Sequence, residues 1–390
     1  MKIFIYYYYI YVLLGIFSFL NFPDYYTYIT LLLITSLFIS FKNQPLFSNG
    51  MDNLILLFLL YQLATCVFGG SGLLYNWWLT AKVQIASMVF YFIGRYRSNE
   101  VDKFFDNMKV PMTFAMIVGL ILYFWAPSWY IERRTAILSS DSNIESFYEA
   151  TRLSSFWPWS YTMGYGSLFF FMYFYKYLNK KINVENITII TISLLTLFFA
   201  QQRVSIAFLL VFLGMVLFFN PYKKRKVTFY ILIAICFIAI IILVYLFFYA
   251  DSGLVDYIMN RSVDKEDNVV DERFDMFIHF FEISLFGTGT GSCGHAAYYD
   301  TGNGVTDCDY IRLFVELGIV GSFILFLIFT KSIIRALKYN RIFFFELSVI
   351  LFYLAAMIGA TPFENYSMQP FLFWLCVGRI FNNSIITKNI

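Results

Sequence analysis

Long apolar runs separated by short polar breaks make up most of the chain, and within each run the apolar positions are continuous rather than alternating. A helix needs about 20 such residues to cross a bilayer, where it must close its own backbone hydrogen bonds. Runs of this kind fall at 3–20, 26–41, 52–68, 77–94, 110–128, 159–178, 187–200, 204–219, 227–249, 309–330, 342–360 and 369–386. The pattern predicts an all-α, polytopic integral membrane protein with about twelve transmembrane helices. Strands of a lipid-facing barrel would alternate apolar and polar residues, and these runs do not. The first run follows a single lysine, lacks a small-residue cleavage site and is soon followed by a second, so it is expected to be retained. The seventh and eighth runs are separated only by Gln201, Gln202 and Arg203.

Charge then sets the orientation. With the N-terminus inside, Lys42, the cluster Arg95, Arg97, Lys103 and Lys109, and the trio Lys176, Lys180 and Lys181 share one side. Lys223, Lys224, Arg225 and Lys226, then Lys331, Arg335, Lys338 and Arg341, then Lys388 join them. That is the positive-inside arrangement, with both termini cytoplasmic and residues 1–390 forming one membrane domain. The other side receives two long connections, about 129–158 and 250–308. Connections longer than about 15 residues commonly carry function.

Composition narrows the class further. At 60% hydrophobic and 14% charged the chain is not a soluble globule, and its partner is the lipid bilayer. The net charge of +3 is scattered, with no basic face for nucleic acid. His279 and His295 are the only histidines and lie far apart in sequence, and the cysteines have no metal-ligand spacing, so neither metal nor cofactor is expected. Cys293 and Cys308 share the second long connection and can pair if it faces an oxidising compartment.

The candidate chemistry lies on the outer side. Arg133, Arg134, Arg152, Arg203, Arg261 and Arg273 sit there against the charge rule. Guanidinium groups are permanently charged and fork onto two oxygens, so several in one cavity suit a phosphate or diphosphate. Singly, each can equally be a snorkelling headgroup contact, whereas Arg203 is wedged between two apolar runs where an ionisable group is usually functional. Asp300, Asp307, Asp309 and Glu316 supply carboxylates that can act as a general base. Asp309 can instead cap the helix that begins near Tyr310, and Glu316 lies about two turns further in. His295 is a candidate proton carrier or sugar contact, and Trp157 and Trp159, flanking Pro158, suit either the membrane interface or a sugar ring. The glycines of GTGTGSCG follow no strand and lack the phosphate-loop lysine, so they read as a tight turn.

Taken in order, these features resemble the O-antigen ligase and polymerase superfamily, and within it a Wzy-type polymerase. The resemblance rests on Arg152 before an aromatic, proline-containing entry into a span, on QQRVS, and on RFDMFIHFFEISLFGTGTGS followed by DCDYIRLFVELGIVG. It covers about 150–390. It implies two periplasmic loops and a substrate of undecaprenyl-diphosphate-linked oligosaccharide units. It also implies a transfer in which an acceptor hydroxyl attacks the donor's anomeric carbon and lipid diphosphate leaves. Arg152, Arg203 and Arg273 would bind the diphosphate, with Asp307 and then Asp309 as the base and Arg273 assisting catalysis. His295, Glu316, Trp157 and Trp159 are the candidate sugar contacts. Ligases of the superfamily typically carry a histidine where this chain has Asp307, which favours a polymerase; a ligase and a flippase for the same lipid-linked sugar are the alternatives. The bacterial inner membrane is the implied location, and a chain-length regulator is an admissible partner.

Overall fold

The computed structural model describes residues 49–68, 84–96, 98–138, 152–156, 160–179, 184–219, 221, 284–294, 308–363 and 369–389. Among these residues the regular structure is helical, with no strand. The helices are α1 (Gly50–Phe68), α2 (Ala86–Tyr96), α3 (Ser98–Trp125), α4 (Ser128–Leu138), α5 (Ser160–Tyr175) and α6 (Val184–Phe199). They continue as α7 (Arg203–Phe219), α8 (Asp309–Lys338), α9 (Asn340–Ala356), α10 (Gln369–Ile380) and α11 (Asn383–Asn389). Three stretches among the described residues are long and apolar enough to cross a membrane: Gly50–Val67, Met108–Trp125 and Asp309–Lys338. Shorter apolar helices, Val184–Phe199, Arg203–Phe219 and Phe371–Ile380, accompany them. The protein is therefore a helical membrane protein. The runs expected at 3–20, 26–41 and 227–249 lie outside the described residues.

Helix ends and apolar runs differ in an instructive way. The run expected from 110 belongs to a helix that begins at Ser98 and passes through Pro111, and the run expected to end at 330 continues to Lys338. Hydropathy marks where a helix meets lipid, not where its backbone hydrogen bonds begin. Conversely, α4 lies where 129–158 reads as a connection, because SWYIERRTAIL has too little apolar character to register as a span.

Packing centres on α5, whose residues from Ser167 to Tyr175 are all buried. Aromatic rings carry much of the core, as large side chains that interlock at tilted and edge-on angles. Tyr353 of α9 lies beside Phe363 and Phe373 with ring centroids 5.4 and 5.0 Å away, and Tyr165 and Phe169 of α5 meet Phe352 edge-on. Two sets of buried charges are paired among α1, α2, α9 and α10. Arg379 Nε meets Glu346 Oε1 at 2.6 Å, and Asp52 accepts from Tyr91 Oη at 2.5 Å with Arg95 Nε 3.4 Å away.

The tightest helix pair is α2 with α10. A Cβ added at Gly94 would run into the Leu375 carbonyl oxygen, and one at Gly378 into that of Tyr91. The two backbones touch, as small residues allow in membrane helices. Gly94→Val or Gly378→Val should therefore cost at least about 1–3 kcal/mol by overpacking. In detergent this should appear as a lower melting temperature and loss of the monodisperse peak, whereas Gly214→Val, where a Cβ meets nothing within 4 Å, should melt as the parent does.

Candidate functional site

The first glycine of ELGIVG breaks α8. Gly318 has φ +62° and ψ −167°, so the first half, from Asp309, and the second half, to Lys338, meet at a kink. A break of this kind at membrane depth is tolerated only where other groups satisfy the opened backbone. Here the glycine turn does so. Thr288 N donates to Val315 O (2.9 Å) and Gly289 N to Glu316 O (3.0 Å), while Ile319 N and Val320 N donate to Ser284 O and Leu285 O. The Tyr61 hydroxyl adds Leu317 O at 2.6 Å and Phe286 O at 2.9 Å. Gly287, with φ +78°, faces Gly318 backbone to backbone; a Cβ on either would collide with the other segment. Gly321 leaves room for the ring of Tyr61, and Thr65 meets Thr290 hydroxyl to hydroxyl at 3.1 Å. Residues 284–294 thus form the turn read from the sequence, seated between α1 and the broken helix.

A buried ionic network holds the same region. Arg312 Nε donates to Asp309 Oδ1 at 2.6 Å and Arg312 Nη1 to Glu316 Oε2 at 3.0 Å, with all three side chains fully buried. With its amide oxygen turned toward the guanidinium, Gln84 accepts from Arg312 Nη2 at 2.7 Å. The outer oxygens of the two acids reach other segments: Phe363 N donates to Asp309 Oδ2 at 2.9 Å, and Cys293 N to Glu316 Oε1 at 3.3 Å. Asp309 N itself bonds to Met357 O and Ala360 O. Asp309 therefore makes no side-chain cap of its own helix. One guanidinium binds residue 84, both ends of the first half-helix, the glycine turn and the 361–363 turn into one unit.

A third feature gathers arginines at the same end of the bundle. Arg152 is half-buried and Arg203 exposed. The next residue after Arg152, Leu153, donates its N–H to Phe199 O at 3.2 Å, which sets the two arginine-bearing segments side by side. Gln202 Nε2 donates to Ser160 Oγ at 2.7 Å. Helix α4 braces the segment: Arg134, fully buried, donates to the Arg152 carbonyl, and Tyr130 Oη donates to Ser155 O at 3.0 Å. The non-glycine residues with positive φ among those described are Ala126, Ser155 and Gln201, at 42°, 58° and 54°. Ser155 lies just after Arg152 and Gln201 just before Arg203, while Ala126 lies between α3 and α4; sparsely populated backbone of this kind gathers at functional sites.

Of the residues expected from the sequence, the structure brings Arg152 and Arg203 into one neighbourhood and places Asp309 and Glu316 together in the buried network. Arg273, Asp307, His295, Trp157 and Trp159 lie outside the described residues. Arg312 and Gln84 were not expected. The signal for Arg312 is present in the sequence: Asp309, Arg312 and Glu316 are spaced to share one helix face.

A family model described as O-antigen ligase matches residues 188–327. The matched segment carries α6, α7, the Gln201–Arg203 join, the glycine turn and the break in α8, and it supports the superfamily of O-antigen ligases and polymerases. That family comprises glycosyltransferase-type enzymes of O-antigen assembly and does not separate polymerase from ligase. A comparison with curated proteins gives no match.

Removing the central cation leaves two buried carboxylates without it. Arg312→Met should destabilise the protein by about 3–5 kcal/mol, read as thermal unfolding in detergent. The triple change Asp309→Asn, Arg312→Met, Glu316→Gln should regain most of that loss; equal stability of parent and Arg312→Met would refute the network's importance.

Proposed function

We propose that the protein is a surface-polysaccharide polymerase that joins undecaprenyl-diphosphate-linked oligosaccharide units at the periplasmic face of the bacterial inner membrane. The observation that carries this reading is the placement of Arg152 and Arg203 on adjoining segments, Leu153 bonded to Phe199, at one end of the bundle. The family match at 188–327 supports the reaction class. The topology is the one expected from charge, about twelve spans with both termini cytoplasmic.

In this mechanism Arg203 and Arg273, assisted by Arg152, clasp the lipid diphosphate of the donor chain. A hydroxyl of the acceptor unit attacks the anomeric carbon from the opposite face, the bond to the diphosphate oxygen breaks, and configuration inverts. Charge grows on the departing oxygen, and donors already aimed at it stabilise the transition state more than the ground state. Asp307 takes the hydroxyl proton. Asp309 is the weaker candidate for base, since its oxygens already accept from Arg312 and Phe363 and its side chain is enclosed. Glu316 is likewise engaged inside the protein, which leaves sugar contacts to His295, Trp157 and Trp159.

The description of the matched family favours one second reading, a ligase that moves the finished glycan onto lipid A–core. Cells lacking the protein separate the two, because loss of a polymerase leaves core bearing one unit and loss of a ligase leaves it bare. A flippase would place its cations along a path through the bundle rather than at one end.

Purified protein given a lipid-diphosphate repeat unit in detergent should build chains with or without chelator. Arg203→Ala should slow chain growth about 10²–10³-fold, the loss typical of one transition-state donor. Full activity in Arg203→Ala, or no chain growth by the parent protein, would overturn the reading.

A further inference from the structure

Two thiols beside the ionic network take no part in the transfer described above. Cys293 sits near the end of the glycine turn and Cys308 immediately precedes α8. They are 3% and 8% exposed and pack together as a small cluster of their own, with Ile311 and Val315 against them, apart from the main core. Both sulfurs are thiols. Cys293 is anchored to the network, its N–H donating to Glu316 Oε1, and Cys308 is held by the first turn of α8, its carbonyl accepting from the Arg312 backbone N–H at 3.0 Å. The glycine turn, seated on the broken helix by its own backbone bonds, brings Cys293 beside Cys308 at the start of that helix. Cys66 and Cys376 are placed differently, Cys66 against Thr290 O and Cys376 within the main core.

We infer that Cys293 and Cys308 are a disulfide-forming pair that fastens the glycine turn to the entrance of α8. The inference rests on the reading that this end of the bundle faces the periplasm, where thiol oxidants are maintained. A thiolate of the pair attacks the disulfide of an oxidised thiol oxidoreductase, and the second thiol then displaces the mixed disulfide. The two cysteines lose two electrons and two protons, and the oxidant's disulfide becomes two thiols. Before the chain is folded both thiols are open to such exchange; afterwards burial protects the bond. In sequence, residues 294–307 lie between the two cysteines and include His295 and Asp307. The bond would tether both ends of the stretch that carries the proposed base, removing conformations the reduced chain can visit.

The full-length protein can be tested in its own membranes. Cells are quenched in acid, thiols are alkylated with N-ethylmaleimide under denaturing conditions, and the digest is analysed by mass spectrometry. A peptide pair joined through Cys293 and Cys308 should be found in most molecules, vanish on treatment with dithiothreitol and be absent from Cys308→Ser, with Cys66 and Cys376 alkylated throughout. Size-exclusion chromatography of Cys308→Ser checks that the variant is folded. If the joined pair is found neither in membrane-drawn protein nor when oxidised glutathione is present while the chain is synthesised into membrane vesicles, the inference fails. A pair that forms only with added oxidised glutathione supports the thiol site and overturns the outward orientation. A pair found in a protein that builds no chains would overturn the proposed function and leave the disulfide standing.

Discussion

The contact between Gly287 and Gly318 is the constraint on which the rest of the site depends. A helix opened at membrane depth presents carbonyl and amide groups that water cannot reach, each costing several kcal/mol if left alone. The glycine turn closes them with backbone bonds to both halves of α8, and it can approach that closely only because neither Gly287 nor Gly318 has a side chain. Tyr61 completes the arrangement from α1, and Gly321 admits its ring. The turn, α1 and α8 are consequently one structural unit, although they come from distant parts of the sequence.

The ionic network fixes where that unit sits. Its central guanidinium is enclosed together with both carboxylates, a combination that is expensive to bring out of water and so contributes definition more than stability. Its value lies in what the outer oxygens reach, Phe363 N on one side and Cys293 N on the other. The exposed and half-buried arginines at the same end of the bundle differ in kind. Arg152 lies on a segment braced by α4, and the residues of positive φ beside the two arginines are Ser155 and Gln201. One end of the bundle thus combines enclosed charges that shape backbone with charges nearer the surface.

Much of this was legible in the sequence, for identifiable reasons. Apolar runs revealed α1, α5, α6, α7, α9 and α10 because lipid solvation imposes the same requirement on every span. Arg152 and Arg203 stood out because the expected topology sets them against the charge rule. The break in α8 was hidden, since Gly318 lies inside a run whose hydropathy is that of an uninterrupted helix and its positive φ is a property of three-dimensional pairing. Helix α4 was hidden for the opposite reason, being too polar to register as a span. Arg312 stood next to residues that attracted chemical interest, yet its spacing to Asp309 and Glu316 indicates an internal clasp that a search for ligand-binding cations overlooks.

The crossing of α2 and α10 has a mechanical consequence. With peptide groups in direct contact at Gly94 and Gly378, no layer of deformable side chains remains to absorb sliding. The pair behaves as a rivet, so any relative motion of helices has to be taken up elsewhere, and the discontinuity at Gly318 is the place in α8 where a rigid rod already has a joint.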